Sequence, residues 1–192
     1  MIIYVFDKRI LRTPRTSSRE SVTDTGMVIA DQSDNIQNIV NRIITRAENE
    51  RSIWLLRIIC HGTPGGLVLG TGVNAGNAEL FAPLAPYFTP DGRGIELHAC
   101  NVASETSSLT RRFDVGRDGS LTPRDSSGTA GHGTSGVGGA FMAALASATG
   151  VNVMGGYDTQ YYDEEYRWEG RGTMTVEPGG TTLTTIGEAV RP

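Results

Sequence analysis

The sequence has few cysteines, no excess of basic charge and no long apolar run. Two cysteines among 192 residues are too few for a disulfide framework. A net charge of -4 gives none of the basic surplus that favours nucleic-acid binding. No run approaches the ~18 apolar residues that a membrane-spanning helix needs. We therefore expect a soluble protein that binds neither nucleic acid nor a membrane.

The chain also shows no targeting segment, internal repeat or second domain. Residues 1–6 are apolar, but they follow no basic leader and are too few for a signal peptide. We therefore expect a protein that is made and kept in a reducing cytoplasm. A length of 192 residues suits one compact domain, and we predict a single domain over residues 1–192.

Short apolar runs rich in strand-forming residues predict the strands of a sheet. The predicted strands lie at residues 1–6, 26–30, 53–60, 94–99 and 151–154. Helical patterns separate several of these runs, and this alternation is typical of an α/β fold. We therefore expect a mostly parallel sheet that is covered by helices on both faces.

The segments between the strands carry helix and loop signals. Apolar residues at helical spacing predict helices at 34–48 and 137–149, and a shorter helix at 77–87 that two prolines interrupt. Residues 8–25 are polar and predict a loop. Residues 167–186 alternate on either side of a Pro-Gly-Gly turn, which predicts a terminal β-hairpin.

Two of the predicted strands end at a reactive side chain. His61 and Gly62 follow the strand at 53–60, and Cys100 follows the strand at 94–99. In open α/β sheets, chemistry gathers at the carboxyl ends of parallel strands. If these two strands are neighbours, an imidazole and a thiol meet at one edge of the sheet.

A cysteine and a histidine at neighbouring strand ends supply what acyl transfer requires. The imidazole activates the thiol and returns a proton to the leaving amine. Gly62 lets substrate backbone approach, and its N–H can point at a developing oxyanion. The N–H of Cys100 is the second donor. The pattern predicts nucleophilic catalysis by Cys100, with His61 as base and acid.

The segments around both strand ends extend this pattern. Residues 61–70 (HGTPGGLVLG) and 99–103 (ACNVA) resemble the clan CD cysteine peptidases, which include caspases, metacaspases, legumains and gingipains. They are most similar to a bacterial caspase-like module of large surface and RTX-type proteins. The similarity continues in patches between 139 and 151, at Asp158 and near 168–170, so it covers most of the chain.

The resemblance implies a fold and a mechanism. The fold is a caspase-like three-layer sandwich with a mostly parallel central sheet, helices on both faces and a C-terminal β-hairpin. The mechanism uses a His–Cys dyad with no obligatory third member. Carried over, His61 is the general base or acid, Cys100 is the nucleophile, and Gly62 and Cys100 supply the oxyanion donors.

Each of the cysteines and histidines also has a plain structural interpretation. The alternative for His61 is a loop histidine at a strand end, and for Cys100 a buried inert thiol. Cys60 faces away from His61, and we expect it to be a small buried hydrophobe. We expect His98, one pleat deeper than Cys100 on the same face, to be a hydrogen-bonded core histidine. His132 lies in a glycine-rich loop, where we expect it to be solvated.

Residues 104–136 depart from the family pattern. They are polar, rich in glycine and serine, and directly follow Cys100, so we expect a long flexible insertion over the active site. Caspase-like enzymes often cut or reorder such a linker on activation. We therefore hypothesise a lid or self-cleavage loop that is cut after Arg112, Arg117 or Arg124. The alternative is a surface insertion without such a role.

Two weaker patterns concern metal and substrate. Residues 114–125 resemble a degraded Ca²⁺-binding EF-hand loop, but position 3 is Gly rather than Asp or Asn, position 12 is Asp rather than Glu, and Pro123 interrupts the exiting helix. We therefore expect no metal or other cofactor, with Ca²⁺ as the alternative. Residues 157–165 are acidic and aromatic, and in related enzymes this stretch helps to line the P1 pocket. Asp158 and then Asp163 are our candidates to pair with a substrate Arg or Lys. The alternative is a solvated acidic loop.

These patterns together predict a cysteine endopeptidase. Its substrate is a polypeptide or its own loop, and a regulatory protein is the further partner that we consider. The main alternative is a catalytically silent interaction module of the same fold. A third interpretation is a hydrolase or acyltransferase that uses the same dyad on a non-peptide ester or amide.

Overall fold

The computed structural model describes residues 1–11, 26–50, 52–104, 113–115, 121–123, 137–157, 173–180 and 182–185. In chain order, the elements are β1 (Ile2–Asp7), α1 (Lys8–Leu11), β2 (Met27–Ala30), α2 (Ile36–Glu50), β3 (Leu55–Ile59), β4 (His61–Thr63), β5 (Gly66–Val68), β6 (Val73–Asn74), a 3₁₀ helix (Ala78–Tyr87), β7 (Gly94–His98), β8 (Phe113–Val115), β9 (Leu121–Pro123), α3 (Val137–Thr149), β10 (Val153–Gly156), β11 (Thr173–Val176) and β12 (Thr182–Thr185).

Seven of these strands form one sheet in the order β12-β11-β10-β7-β3-β1-β2. The five strands from β2 to β10 run parallel to one another, whereas β11 and β12 pair antiparallel at one end. The α/β class and the mostly parallel sheet predicted from the sequence are therefore confirmed. Because all five parallel strands point the same way, their carboxyl ends share one edge of the sheet.

One face of the sheet packs against α2, the 3₁₀ helix and α3 and forms the main core. Alternate residues of the strands, such as Val5 in β1 and Ile58 in β3, are completely buried there. The predicted apolar stripe of α2, from Ile36 to Ala47, faces this core. The 3₁₀ helix contacts both α2 and α3, so it lies between them in the helical layer.

The 3₁₀ helix shows how proline changes a predicted helix. The sequence predicts a short helix at 77–87 interrupted by Pro83 and Pro86, and the structure forms a 3₁₀ helix over Ala78–Tyr87. Proline has no backbone N–H to donate, so it weakens the ladder of an α-helix. Phe81 and Leu84 are nevertheless buried, which keeps the segment against the core.

The opposite face of the sheet carries a smaller cluster near β1. Phe6, Ile10 and Ile59 are buried together there, with Tyr4 and Met27 packed against them. The loop predicted for residues 8–25 is wrong at its start, because Lys8–Leu11 forms the short helix α1. Burial of the apolar Ile10 explains this turn of helix, and residues 12–25 lie outside the described residues.

Two small sheets accompany the large one. The strands β4, β5 and β6 form an antiparallel sheet that begins at His61. Within the predicted insertion at 104–136, β8 pairs antiparallel with β9. No helix in the described part of the chain is long and apolar enough to cross a membrane.

Candidate active site

The strands that precede His61 and Cys100 are direct neighbours in the sheet. Strands β3 and β7 pair in parallel from Leu55 opposite Gly94 to Ile59 opposite His98. The ladder continues past β3, because the N–H of Cys60 donates to the carbonyl oxygen of His98 at 3.3 Å. One residue further, His61 and Cys100 leave the two strands side by side at the carboxyl edge. The condition on which the sequence interpretation depends, that these two strands are neighbours, is therefore met.

Side-chain alternation separates the two cysteines. Cys60 and Ala99 are buried in the helix-covered core. Because successive residues of a strand face opposite ways, His61 and Cys100 lie on the other side. His61 is exposed and Cys100 is half-buried.

Cys60 has the properties of an inert core thiol. It is 1 % exposed. Burial raises the pKa of this thiol far above its ordinary value, and the neighbouring Asp7 carboxylate raises it further. Because the thiolate is the reactive form, Cys60 is not a nucleophile at neutral pH. This agrees with the buried hydrophobe predicted from the sequence.

Gly62 packs directly against the peptide of Cys100. A Cβ atom at position 62 would lie 2.9 Å from both the Cβ of Ala99 and the backbone nitrogen of Cys100, and it would collide with the carbonyl oxygen of Cys100. No larger residue fits without moving one strand end. The close approach explains why glycine follows His61, and it brings the backbones of both predicted oxyanion donors together.

The turn after Cys100 is fixed from two sides. Asn101 has a φ of 58°, in the left-handed region that lets the chain reverse sharply. The carbonyl of Val102 accepts from the N–H of Gly65 at 3.2 Å, and the N–H of Ala103 donates to Gly156 at 3.1 Å. Val102 and Ala103 are completely buried. The turn is therefore held between the hairpin that carries His61 and the end of β10.

The amino-terminal end of α3 completes this corner of the site. The N–H of Gly138 donates to the carbonyl of Ser104 at 3.1 Å. A Cβ atom at Gly138 would collide with the backbone of Ala103, and one at Gly65 would collide with Val137. Three glycines, at 62, 65 and 138, thus allow three backbone segments to meet around the turn after Cys100.

A buried ionic cluster lies on the sheet face opposite the helix-covered core, at Glu96 and His98, which precede Cys100 by four and two residues. The Glu96 carboxylate, 1 % exposed, lies 2.7 Å from Arg57, 3.0 Å from Arg93 and 3.2 Å from the Nε2 of His98. Arg57 is opposite Glu96 in the β3–β7 register, and its guanidinium lies 5.5 Å from the centre of the Tyr4 ring. The sequence predicted a hydrogen-bonded core His98, and this is confirmed, but its partner Glu96 was missed.

Electrostatics set the protonation of this cluster. Burial alone would raise the pKa of Glu96, but the hydrogen bond from His98 and the charge of Arg57 bring it below its ordinary value. Burial lowers the pKa of His98 and outweighs the opposing hydrogen bond to Glu96. At neutral pH we therefore take Glu96 as ionised and His98 as neutral, with Nε2–H donating to the carboxylate.

Several predicted residues lie outside the described residues. These are the specificity candidates Asp158 and Asp163, the candidate cleavage sites Arg112, Arg117 and Arg124, and the loop residue His132. Of the calcium-like pattern at 114–125, the structure describes only residues 114–115 in β8 and 121–123 in β9. Among the described side chains, no group of three or more His, Cys, Asp or Glu residues is arranged to hold a metal ion.

The fold and this geometry define an α/β protein with a candidate site at the carboxyl edge of a mostly parallel sheet. No family model, curated protein or solved structure matches the chain.

Proposed function

We propose that the chain is a caspase-like cysteine endopeptidase with His61 and Cys100 as its dyad. One observation carries this proposal: β3 and β7 are parallel neighbours, and an exposed histidine and a half-buried cysteine follow them at the same edge of the sheet. A three-layer caspase-like fold is part of the proposal. The parallel sheet and the helices on its core face are compatible with that fold.

The chemistry needs only groups that lie at these strand ends. His61 takes the proton of the Cys100 thiol, and the thiolate attacks the scissile carbonyl carbon. The carbonyl oxygen becomes an oxyanion that accepts hydrogen bonds from the N–H groups of Gly62 and Cys100. His61 then protonates the leaving amine, and a thioester joins the acyl group to Cys100.

Hydrolysis of the thioester returns the enzyme to its starting state. His61 takes a proton from water, and the hydroxide adds to the thioester carbonyl. The C–S bond breaks, the carboxylic acid leaves, and the Cys100 sulfur regains a proton. The held turn at 101–103 supports this cycle, because a nucleophile fixed by backbone hydrogen bonds needs little reorganisation during the reaction.

We further propose a polypeptide substrate with a basic P1 residue. Asp158 or Asp163 would pair with its side chain as a carboxylate pairs with Arg or Lys. The protein's own segment after Cys100 is one such substrate, with cleavage after Arg112, Arg117 or Arg124.

A mechanism-based probe tests the peptidase. The protein is treated with a peptide acyloxymethyl ketone that bears P1 Arg, and the adduct is mapped by mass spectrometry. We expect a thioether at Cys100 in the wild type and in Cys60→Ala, and no adduct in His61→Ala. Failure of every P1 variant to label, with Cys100 also inert to iodoacetamide, would favour the silent module. Labelling with no turnover of any peptide would favour a non-peptide substrate.

Intact-mass measurement tests the self-cleavage separately. We compare the purified wild type with Cys100→Ala after equal incubation. Fragments that end at one of the three arginines in the wild type alone would support processing. An intact chain in both proteins would remove the self-cleavage proposal and leave the dyad unaffected.

A further inference from the structure

The carboxylate of Asp7 organises the carboxyl end of β1. Asp7 is completely buried, and its oxygens accept from the backbone N–H of Arg9 at 2.9 Å and from its side chain at 2.7 and 2.6 Å. A third segment joins them, because the N–H of Gly70 donates to the same carboxylate at 3.0 Å. Burial alone would raise the pKa of Asp7, but these hydrogen bonds bring it below its ordinary value.

The guanidinium of Arg9 bridges to the hairpin that begins at His61. Its Nη2 donates to the carbonyl oxygens of Val68 and Gly70, each at 3.0 Å. Val68 is the last residue of β5, and it is the register partner of His61 in β4. The Arg9 contacts therefore fix the strand residue directly opposite the proposed general base.

Asp7 and Arg9 also lie close to Cys60, the residue that precedes the hairpin. Asp7 follows Phe6, which is opposite Ile59 in the β1–β3 register, so Asp7 lies beside Cys60. The charges of Asp7 and Arg9 both act on the Cys60 thiol, so these two side chains lie close to the residue that precedes the hairpin. The open end of the β4–β5 hairpin, where His61 pairs with Val68, is thus tied to the end of β1.

We infer that Asp7 and Arg9 form a positioning pair, which fixes the β4–β5 hairpin on β1 and thereby places the His61 imidazole against Cys100. This inference rests on the proposed function. The pair does not touch the reacting atoms. It acts on where they meet, because a shift of His61 together with its register partner Val68 breaks the Arg9 contact to Val68.

Alkylation of Cys100 by iodoacetamide tests this pair without requiring a particular substrate pocket. The rate at Cys100 is measured near neutral pH, well below the unfolding temperature, in wild type, Arg9→Gln, His61→Ala and the double variant. We expect Arg9→Gln to slow the reaction by about tenfold or more, since a misplacement of ~1 Å can cost ~100-fold. In the His61→Ala background, Arg9→Gln should have no further effect.

Two matched variants separate positioning from charge and stability. Lys8→Gln removes the neighbouring exposed ion pair with Asp31, at 2.8 Å, and should react as wild type. Arg9→Lys keeps the charge but loses the planar fork by which Nε and Nη2 hold the Asp7 carboxylate and so aim Nη2 at both carbonyls. It should therefore slow the reaction as Arg9→Gln does. Full activity in Arg9→Lys would overturn the positioning role.

The remaining outcomes distinguish this inference from the proposed function. A reaction that depends on His61 but is unchanged in Arg9→Gln would overturn the positioning pair alone. An equal effect of Arg9→Gln with and without His61 would also overturn it, because the pair would then act on stability rather than through the imidazole. If His61→Ala reacts as fast as wild type, the dyad fails, and the positioning pair fails with it.

Discussion

The close packing of Gly62 on Cys100 makes Gly62→Ala a sharp perturbation. The added Cβ would lie 2.9 Å from the Cys100 nitrogen and from the Ala99 Cβ, and it would collide with the Cys100 carbonyl. The contacting atoms are the backbone of Cys100 and the Cβ of Ala99. None of these atoms can move by rotation of a side chain, so the clash cannot be relieved in that way. The strand that carries His61 must move away from the turn that carries Cys100.

The size of the effect follows from the distance that must be gained. Ordinary carbon contacts require about 3.5–4 Å, so the two backbones must separate by roughly 0.5–1 Å. Overpacking of this kind costs about 1–3 kcal/mol in the free energy of unfolding. A misplacement of about 1 Å also lowers the rate of the chemical step by up to ~100-fold. We therefore expect a large loss of Cys100 reactivity with a moderate loss of stability.

Two assays read these effects, and Gly179→Ala is the matched control. No atom lies within 4 Å of a Cβ added at Gly179, so this variant should match the wild type in both assays. Labelling kinetics with the acyloxymethyl ketone give the inactivation rate at Cys100, and thermal melting gives the stability. A Gly62→Ala protein that keeps the wild-type rate and melting temperature would refute the packing argument.

The buried cluster and the second cysteine give three further predictions. Glu96→Gln leaves Arg57 without its anionic partner and should lower the free energy of unfolding, measured in urea, by about 3 kcal/mol. The Arg93 side chain is 52 % exposed, so Arg93→Ala should lower the free energy of unfolding by less than about 1 kcal/mol. Equal losses in Glu96→Gln and Arg93→Ala would contradict the argument that the buried Glu96–Arg57 pair matters more. Burial holds the pKa of His98 in the folded protein below its ordinary value of 6.5. As the pH falls, this histidine is therefore protonated in the unfolded chain before it is protonated in the folded protein. The contribution of His98 to the free energy of unfolding is therefore complete above about pH 6.5 and declines as the pH falls below that value. A free energy of unfolding that stays constant down to about pH 5.5 would contradict the lowered pKa of His98. In the folded protein, Cys60 should react with iodoacetamide at least ~100-fold more slowly than Cys100, and comparable rates would contradict its burial.

The sequence predicted the main strands because each is a compact apolar run. It also predicted that His61 and Cys100 follow two such runs, and chain polarity alone then brings them to one edge of a parallel sheet. The exact first and last residues of the strands were harder to predict from the sequence. Strand β4 contains only three residues, two of them His61 and Gly62, so no periodic pattern marks it.

The polar contacts of Arg9 with Gly70 and of Glu96 with Arg57 could not be predicted from the sequence, because they join residues that are far apart in the chain. Arg9 and Gly70 are 61 positions apart, and nothing local indicates that they meet. Arg57 and Glu96 did leave a signal, since each is a charge inside an otherwise apolar strand. Only the register shows that they are opposite one another, and register depends on the packing of the whole sheet.

Turnover of peptides tests the proposed peptidase and its dyad together. A library of internally quenched fluorogenic peptides with varied P1 residues is incubated with wild type, Cys100→Ala, His61→Ala and Cys60→Ala. We expect cleavage by wild type and Cys60→Ala, with preference for P1 Arg or Lys, and a loss of at least ~1000-fold in the other two variants. Cleavage that persists in Cys100→Ala, or a complete absence of cleavage by a wild-type protein whose Cys100 is reactive, would contradict the proposal.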